Sequence, residues 1–230
     1  MSAPRVKSDP LKPDRPPQSS ERYQRLPTGP HGLGPGEVQR DQRARLQTAM
    51  TELTAEHGYQ AVRISDLTTL ARVSRPTFYT LYTNKEQLFL SAYDEIAGRT
   101  ARTVMKAYDL EGSQRQRLRS AVHAFAELAA AEPDAMSLLV LGAFGAGAKA
   151  LERRNRTLEA LERRIRVSRD RTSTRRRAGL TVKAILGGIR EVTAARLRGG
   201  RAHELPELAD ELTAWAASYP PELPLSLIHI

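Results

Sequence analysis

A chain of 230 residues, 40% hydrophobic and 27% charged, is long enough to bury a real core and to hold one or two domains. It has no cysteine, which excludes a disulfide framework and any thiolate metal site. Its longest uncharged apolar stretch, Ala135 to Ala148, is too short to span a bilayer, and its start does not resemble a signal peptide, so a soluble cytoplasmic protein with no membrane role is expected.

The formal net charge of +10 suits a polyanionic partner, but its location says more than its size. Residues 37–100 are neutral overall, and the surplus concentrates in 149–177. Any attraction of the N-terminal part for phosphate must therefore come from where its cations sit.

Residues 1–36 are rich in proline, glycine, serine and charge and lack apolar periodicity, which predicts a disordered N-terminal arm. Arg15, Arg22 and Arg25 could reach a DNA groove from such an arm, and a solvated tail is the simpler reading. From about Glu37 to His57, Leu46, Ala49, Met50, Leu53 and His57 recur at three- and four-residue steps, the period of an amphipathic helix that Gly58 stops. Val62, Ile64, Leu67, Leu70, Ala71 and Val73, closed by Phe78 and Leu81, are the expected core of a three-helix unit.

The stretch Ile64 to Lys85 packs three helix starts into about twenty residues. Ser65 and Ser74 are expected N-caps, because a serine oxygen accepts from the free N–H groups of a first helical turn. Pro76 falls inside such a turn, where its missing N–H is harmless. Thr83 and Glu86 have the spacing of a capping box. Two short helices joined by a tight turn, spanning Arg63 to Tyr82, are the pattern of a DNA-binding helix-turn-helix.

The linked elements His57-Gly58-Tyr59, Ile64-Ser65-Asp66-Leu67, Val73-Ser74-Arg75-Pro76-Thr77-Phe78-Tyr79 and Leu81-Tyr82-Thr83-Asn84-Lys85-Glu86-Gln87-Leu88 resemble the N-terminal domain of TetR-type transcriptional regulators. Three positions depart from that pattern: Arg72 stands for the usual turn glycine, Pro76 for a frequent glycine, and Leu81-Tyr82 for the usual histidine-phenylalanine pair. Arg72 would take a positive φ at modest steric cost.

Within the recognition helix Arg75, Thr77 and Tyr79 are the expected groove-facing residues, and Pro76 is counted with them among the DNA-binding residues. Arginine can fork onto guanine, and threonine offers a hydroxyl and a methyl. Ser65, Tyr82 and Lys85 are the expected phosphate contacts at helix starts. Both tyrosines could instead belong to the core.

Lys85 to about Tyr108 reads as one long helix, linking head and body in the resemblance, and Gln114 to Ala131 as another. Ala135 to Ala150 reads as a helix apolar all round, its three glycines admitting a close neighbour. The resemblance implies a ligand cavity walled by His123, Phe125, Leu128, Met136, Leu139 and Phe144. Core packing accounts for the same residues equally well, and both readings stand.

Leu151 to Val167 carries Glu152–Arg156, Glu159–Arg163 and Glu162–Arg166 at favourable four-residue spacing. Ser168 to Arg177 has no apolar residue and reads as an arginine-rich surface loop, with a second anion contact as the sharper alternative. Two helices close the fold, Ala178 to Arg198 and Glu204 to Tyr219. The resemblance implies that they pair with their twins, through Ile185, Ile189, Leu208, Leu212 and Trp215, in a homodimer; burial within one chain is the alternative. Leu225 to Ile230, LSLIHI, reads as the translation of a sequencing-adapter end and is set aside.

The five histidines fall in separate elements without metal-ligand spacing, and no hydrolase, metalloprotease or P-loop pattern occurs. Neither an enzyme nor a metal or cofactor is expected. The expectation is an all-α protein: an arm (1–36), a helix-turn-helix head (40–100) and a helical regulatory and dimerisation body (101–224). The resemblance implies a cytoplasmic, nucleoid-associated dimer that binds a near-palindromic operator in double-stranded DNA, answers an unknown small-molecule effector, and represses by default. A sequence-indifferent DNA binder, and a helical effector- or partner-binding dimer without operator binding, are the rival readings.

Overall fold

A computed structural model of the chain describes Tyr23, residues 35–169 and residues 177–219. The arginines of the expected arm, most of the 168–177 loop and the 225–230 tail lie outside the described residues. Among the described residues there is no strand. The fold of the described residues is carried by α1 (Pro35–His57), α2 (Ile64–Leu70), α3 (Arg75–Leu81), α4 (Lys85–Tyr108), α5 (Gln114–Ala131), α6 (Pro133–Ser137), α7 (Ala148–Arg169), α8 (Arg177–Arg198) and α9 (Leu205–Ser218). No described helix is long and apolar enough to cross a membrane.

The structure replaces two of the expected N-caps. α2 begins one residue before Ser65, with Arg63 at the N-cap and the Asp66 carboxylate accepting from the Arg63 N–H at 3.0 Å. α4 is capped by Asn84, not Thr83: its side chain accepts from the Gln87 N–H at 2.8 Å, while the Gln87 side-chain Oε1 accepts from the Thr83 N–H and hydroxyl. An amide serves there as well as a hydroxyl, because either oxygen satisfies a first-turn N–H. Ser74 does cap α3, accepting from the Thr77 N–H at 3.1 Å with Pro76 in the first turn. α1 stops at Gly58, φ 74°.

The apolar stretch after α6 is not one helix. A π-helical turn, Leu138–Gly142, and a short helical turn, Ala143–Gly145, follow before Gly147 at φ 97° breaks the chain. Gly142 lies so close to Phe89 that a Cβ there would stand 3.3 Å from the ring.

Two large cores result. The first joins Leu46, Met50, Leu67, Phe78, Leu88, Phe89 and Tyr93 to Leu138, Ala143 and Ala150, so it does not end at residue 100. Tyr23, from the expected arm, is buried in it and donates to Glu52 at 2.9 Å. The second gathers Val122, Met136, Ile185, Ile189, Leu197 and Leu205 from the body. Gly188 on α8 lies under the Trp215 indole of α9, and a Cβ there would collide with it. Gly188→Val should therefore cost about 1–3 kcal/mol by overpacking. The denaturation midpoint should drop accordingly, and Trp215→Leu should restore part of the loss.

Candidate nucleic-acid interface and effector cavity

The turn between α2 and α3 is held from behind by α1. Arg45 is only 7% exposed; its Nη1 donates to the carbonyls of Ala71 at 2.7 Å and Arg72 at 3.3 Å, and its Nε to Asp41 at 2.9 Å. Those carbonyls flank the residue with positive φ, Arg72 at 51°, as expected of a non-glycine forced into this turn. A buried guanidinium thus locks the angle between the two short helices. Only the Asp41-x-x-x-Arg45 spacing hinted at this role in the sequence.

On the outer side of α3, Arg75, Pro76 and Tyr79 are exposed and Thr77 is half-buried; Tyr79 is 49% exposed although its ring meets Phe78 edge-on. Phe78 fills the inward position and is fully buried. The Thr77 hydroxyl lies 2.7 Å from that of Ser74. Ser65 is exposed in the first turn of α2, its hydroxyl donating to Asp66 at 3.2 Å. Arg63, Thr69 and Arg72 are exposed as well.

Tyr82 and Lys85 do not belong to that face. Tyr82 is 5% exposed and packs against Phe78, with its hydroxyl 3.4 Å from Ser91. Lys85 Nζ donates to the carbonyls of Tyr59 at 2.9 Å and Val62 at 2.8 Å and stands 4.1 Å from the centre of the Tyr59 ring. Burial lowers the ammonium pKa, and the two carbonyls hold the proton in place. A lysine at a helix start looks like a phosphate ligand in sequence; here the loop after α1 takes up two of its three donors.

In the body a cavity of about 700 Å³ runs between α4, α5, α7, α8 and α9. It extends along α4 from Tyr93 to Tyr108, about 22 Å at a rise of ~1.5 Å per residue. Val104, Met105, Leu158, Leu161, Ile185 and Ile189 form much of its apolar wall. Of the residues expected to wall it, only Phe125 and Leu139 do. Met136 is sealed in the second core, Leu128 packs against that core, and Phe144 is 61% exposed. His123 faces Asp210 at 2.7 Å in a surface cluster with Arg119, whose hydrogen bond, followed by that of His123, holds the Asp210 carboxyl well below its usual range.

The expected dimer residues divide as well. Ile185 and Ile189 turn inward to the cavity, because α8 needs that stripe to close the body. Leu208, Leu212 and Trp215 remain half-buried on α9. Among the described residues no group of histidines and carboxylates could hold a metal.

Residues 47–92 match the family described as bacterial regulatory proteins, tetR family. That match covers the helix-turn-helix segment, α2 and α3, with the end of α1 and the start of α4. It is 28% identical over 107 residues to the HTH-type transcriptional activator FasR of Mycolicibacterium smegmatis, a match spanning 46% of this chain and about half, 49%, of that protein. The fold is similar to that of the fatty acid degradation regulator FadR from Bacillus halodurans, with a TM-score of 0.69, 18% identity, and coverage of 81% of this chain and 96% of that one. It is also similar to FadR from Bacillus subtilis in complex with stearoyl-CoA, with a TM-score of 0.65, 18% identity, and coverage of 76% and 97%.

The different surroundings of Tyr79 and Lys85 separate their roles experimentally. Tyr79→Ala should leave the thermal melt within about 0.5 kcal/mol of wild type, as for a surface change away from packing. Lys85→Ala should cost about 1–3 kcal/mol, because two carbonyls lose their donor. Urea denaturation of the two variants measures both.

Proposed function

We propose that this protein is a DNA-binding transcriptional regulator whose affinity for its operator is set by a long apolar effector. The observation that carries the reading is the juxtaposition of an accessible recognition face, Arg75, Thr77 and Tyr79 on an arginine-locked turn, with an elongated apolar cavity sharing helix α4. The cavity volume falls within the usual range for small-molecule sites, roughly 300–1,000 Å³. Its length and walls suit an extended hydrocarbon chain, and the Bacillus subtilis relative holds stearoyl-CoA.

The protein acts as a homodimer in this reading. Leu208, Leu212 and Trp215 form part of the contact between copies, and two recognition helices about one DNA turn apart read a near-palindromic site. Leu208 is half-buried and stands apart from the two main cores, so Leu208→Glu should yield monomers in size-exclusion chromatography with an unchanged melt. Persisting dimers would remove this interface. Repression is the expected output. The relative from Mycolicibacterium smegmatis is an activator, so the binding step is tested ahead of the sign.

Helix α7 is the link between effector and head. Its Lys149 pairs with Glu86 at 2.9 Å and its Arg153 with Asp94, both on α4, while Arg154, the next residue, and Thr157 and Leu158, one turn on, line the cavity. Gln60 in the head adds a bond to the carbonyl of Gly145 at 2.6 Å, just before α7. An effector that prefers one placement of α7 shifts the head by its differential affinity for the two states, typically 1–3 kcal/mol.

The test is fluorescence anisotropy on DNA from the gene's own upstream region, with excess unrelated competitor and at two salt concentrations. Binding should survive competitor in wild type and fall at least about tenfold in Tyr79→Ala. Binding erased by competitor would favour a sequence-indifferent binder instead. Lys149→Ala combined with Arg153→Ala should keep DNA affinity but blunt its response to effector; an undiminished response would exclude α7 as the link.

A further inference from the structure

The head-proximal end of the cavity brings two arginines together. Arg154 from α7 and Arg190 from α8 both line it, together with Tyr93 and Thr157, while Ser113, Gln114 and Arg115 line it beside Tyr108 and the walls between are mostly aliphatic and aromatic. Among the described residues neither arginine has a carboxylate within 4 Å: Asp94 is held by Arg153, and Glu191 by Arg198 at 2.9 Å. Arg190 uses Nη2 on the Val140 carbonyl at 3.0 Å. Arg154 uses Nη1 on Asn155 at 2.9 Å and lies 4.9 Å from the centre of the Phe144 ring, and its Nε is buried without a partner. A guanidinium carries five donors, so most of the pair's N–H groups remain unspent.

We propose that Arg154 and Arg190 form the seat for an anionic head group, a carboxylate or a phosphate, of a long-chain amphiphile whose hydrocarbon lies along the cavity toward Tyr108. The proposal rests on the apolar-effector reading above and specifies its polar end. Two like charges flanking a low-dielectric space repel each other and lose hydration, and an anion between them relieves both costs. The arginines already register this: burial, and next the charge of Arg154, depress the Arg190 pKa. Tyr93 stands at the same end, its hydroxyl hydrogen-bonded to Thr157 and its pKa raised by burial. Neutral lipids of the same length would fill the walls but leave both guanidinium groups unpaired, so the pair selects for charge while the cavity selects for length.

Isothermal titration of the full chain with palmitate, palmitoyl-CoA and hexadecanol, each below its aggregation threshold, tests the seat. The anionic probes should bind on the order of tenfold or more tightly than the alcohol. Arg154→Gln should weaken them by a similar factor while leaving the alcohol unchanged. Arg154 is the cleaner position, because Arg190 also anchors Val140; Arg190→Gln serves as a second variant once its melt matches wild type. An effect confined to palmitoyl-CoA identifies the anion as phosphate, and one shared with palmitate as carboxylate. Equal binding of alcohol and anions, or equal losses for all three in Arg154→Gln, overturns the seat but keeps the apolar effector. Failure of every probe to bind overturns both.

Discussion

Helix α4 belongs to two parts of the molecule at once, and the rest of the structure is arranged along it. At its N-terminus Lys85 grips the carbonyls of Tyr59 and Val62, tying the loop after α1 to the helix. Leu88, Phe89, Ala92 and Tyr93 then fill the first core, and Tyr93 to Tyr108 forms one side of the cavity. Its 24 residues make a rod of about 36 Å, stiff over that length. Only Tyr82, Thr83 and Asn84 separate its first turn from the end of α3.

Much of this was legible from periodicity and caps. α4 and α5 begin and end where the apolar steps and breakers placed them, and Ser74, Pro76 and Gly58 punctuate the chain as their chemistry predicts. One kind of feature was hidden: polar atoms whose partners are distant in sequence. Lys85 looks like a phosphate ligand until the carbonyls 23 and 26 residues away come into view. Arg45 looks like a surface arginine until Ala71, 26 residues on, accepts from it.

The cavity was the least legible feature. Met136 and Phe144 lie in the same apolar stretch as Leu139, yet one is sealed in a core, one is exposed, and Leu139 lines the cavity. The π-helical turn shifts the register within that stretch, so a single helical wheel cannot sort its faces. Ile185 and Ile189 formed a plausible contact stripe for a second copy, and a helix that must close a hollow body has first claim on them.

The neutrality of residues 37–100 is resolved by where their acids sit. Glu86 and Asp94 are held by Lys149 and Arg153, so part of the positive surplus in 149–177 serves to neutralise the head from the body side. Asp41 is held by Arg45 inside the head, and Asp66 is engaged with the Arg63 N–H and the Ser65 hydroxyl. Among the described residues Arg63, Arg72 and Arg75 have no carboxylate within 4 Å, and all three lie on the exposed side of α2 and α3. A segment with no net charge thus presents a locally cationic face. Direction, rather than total, is the electrostatic property that matters for meeting a polyanion: over a Debye length of about 8 Å, the acids on the far side are largely screened.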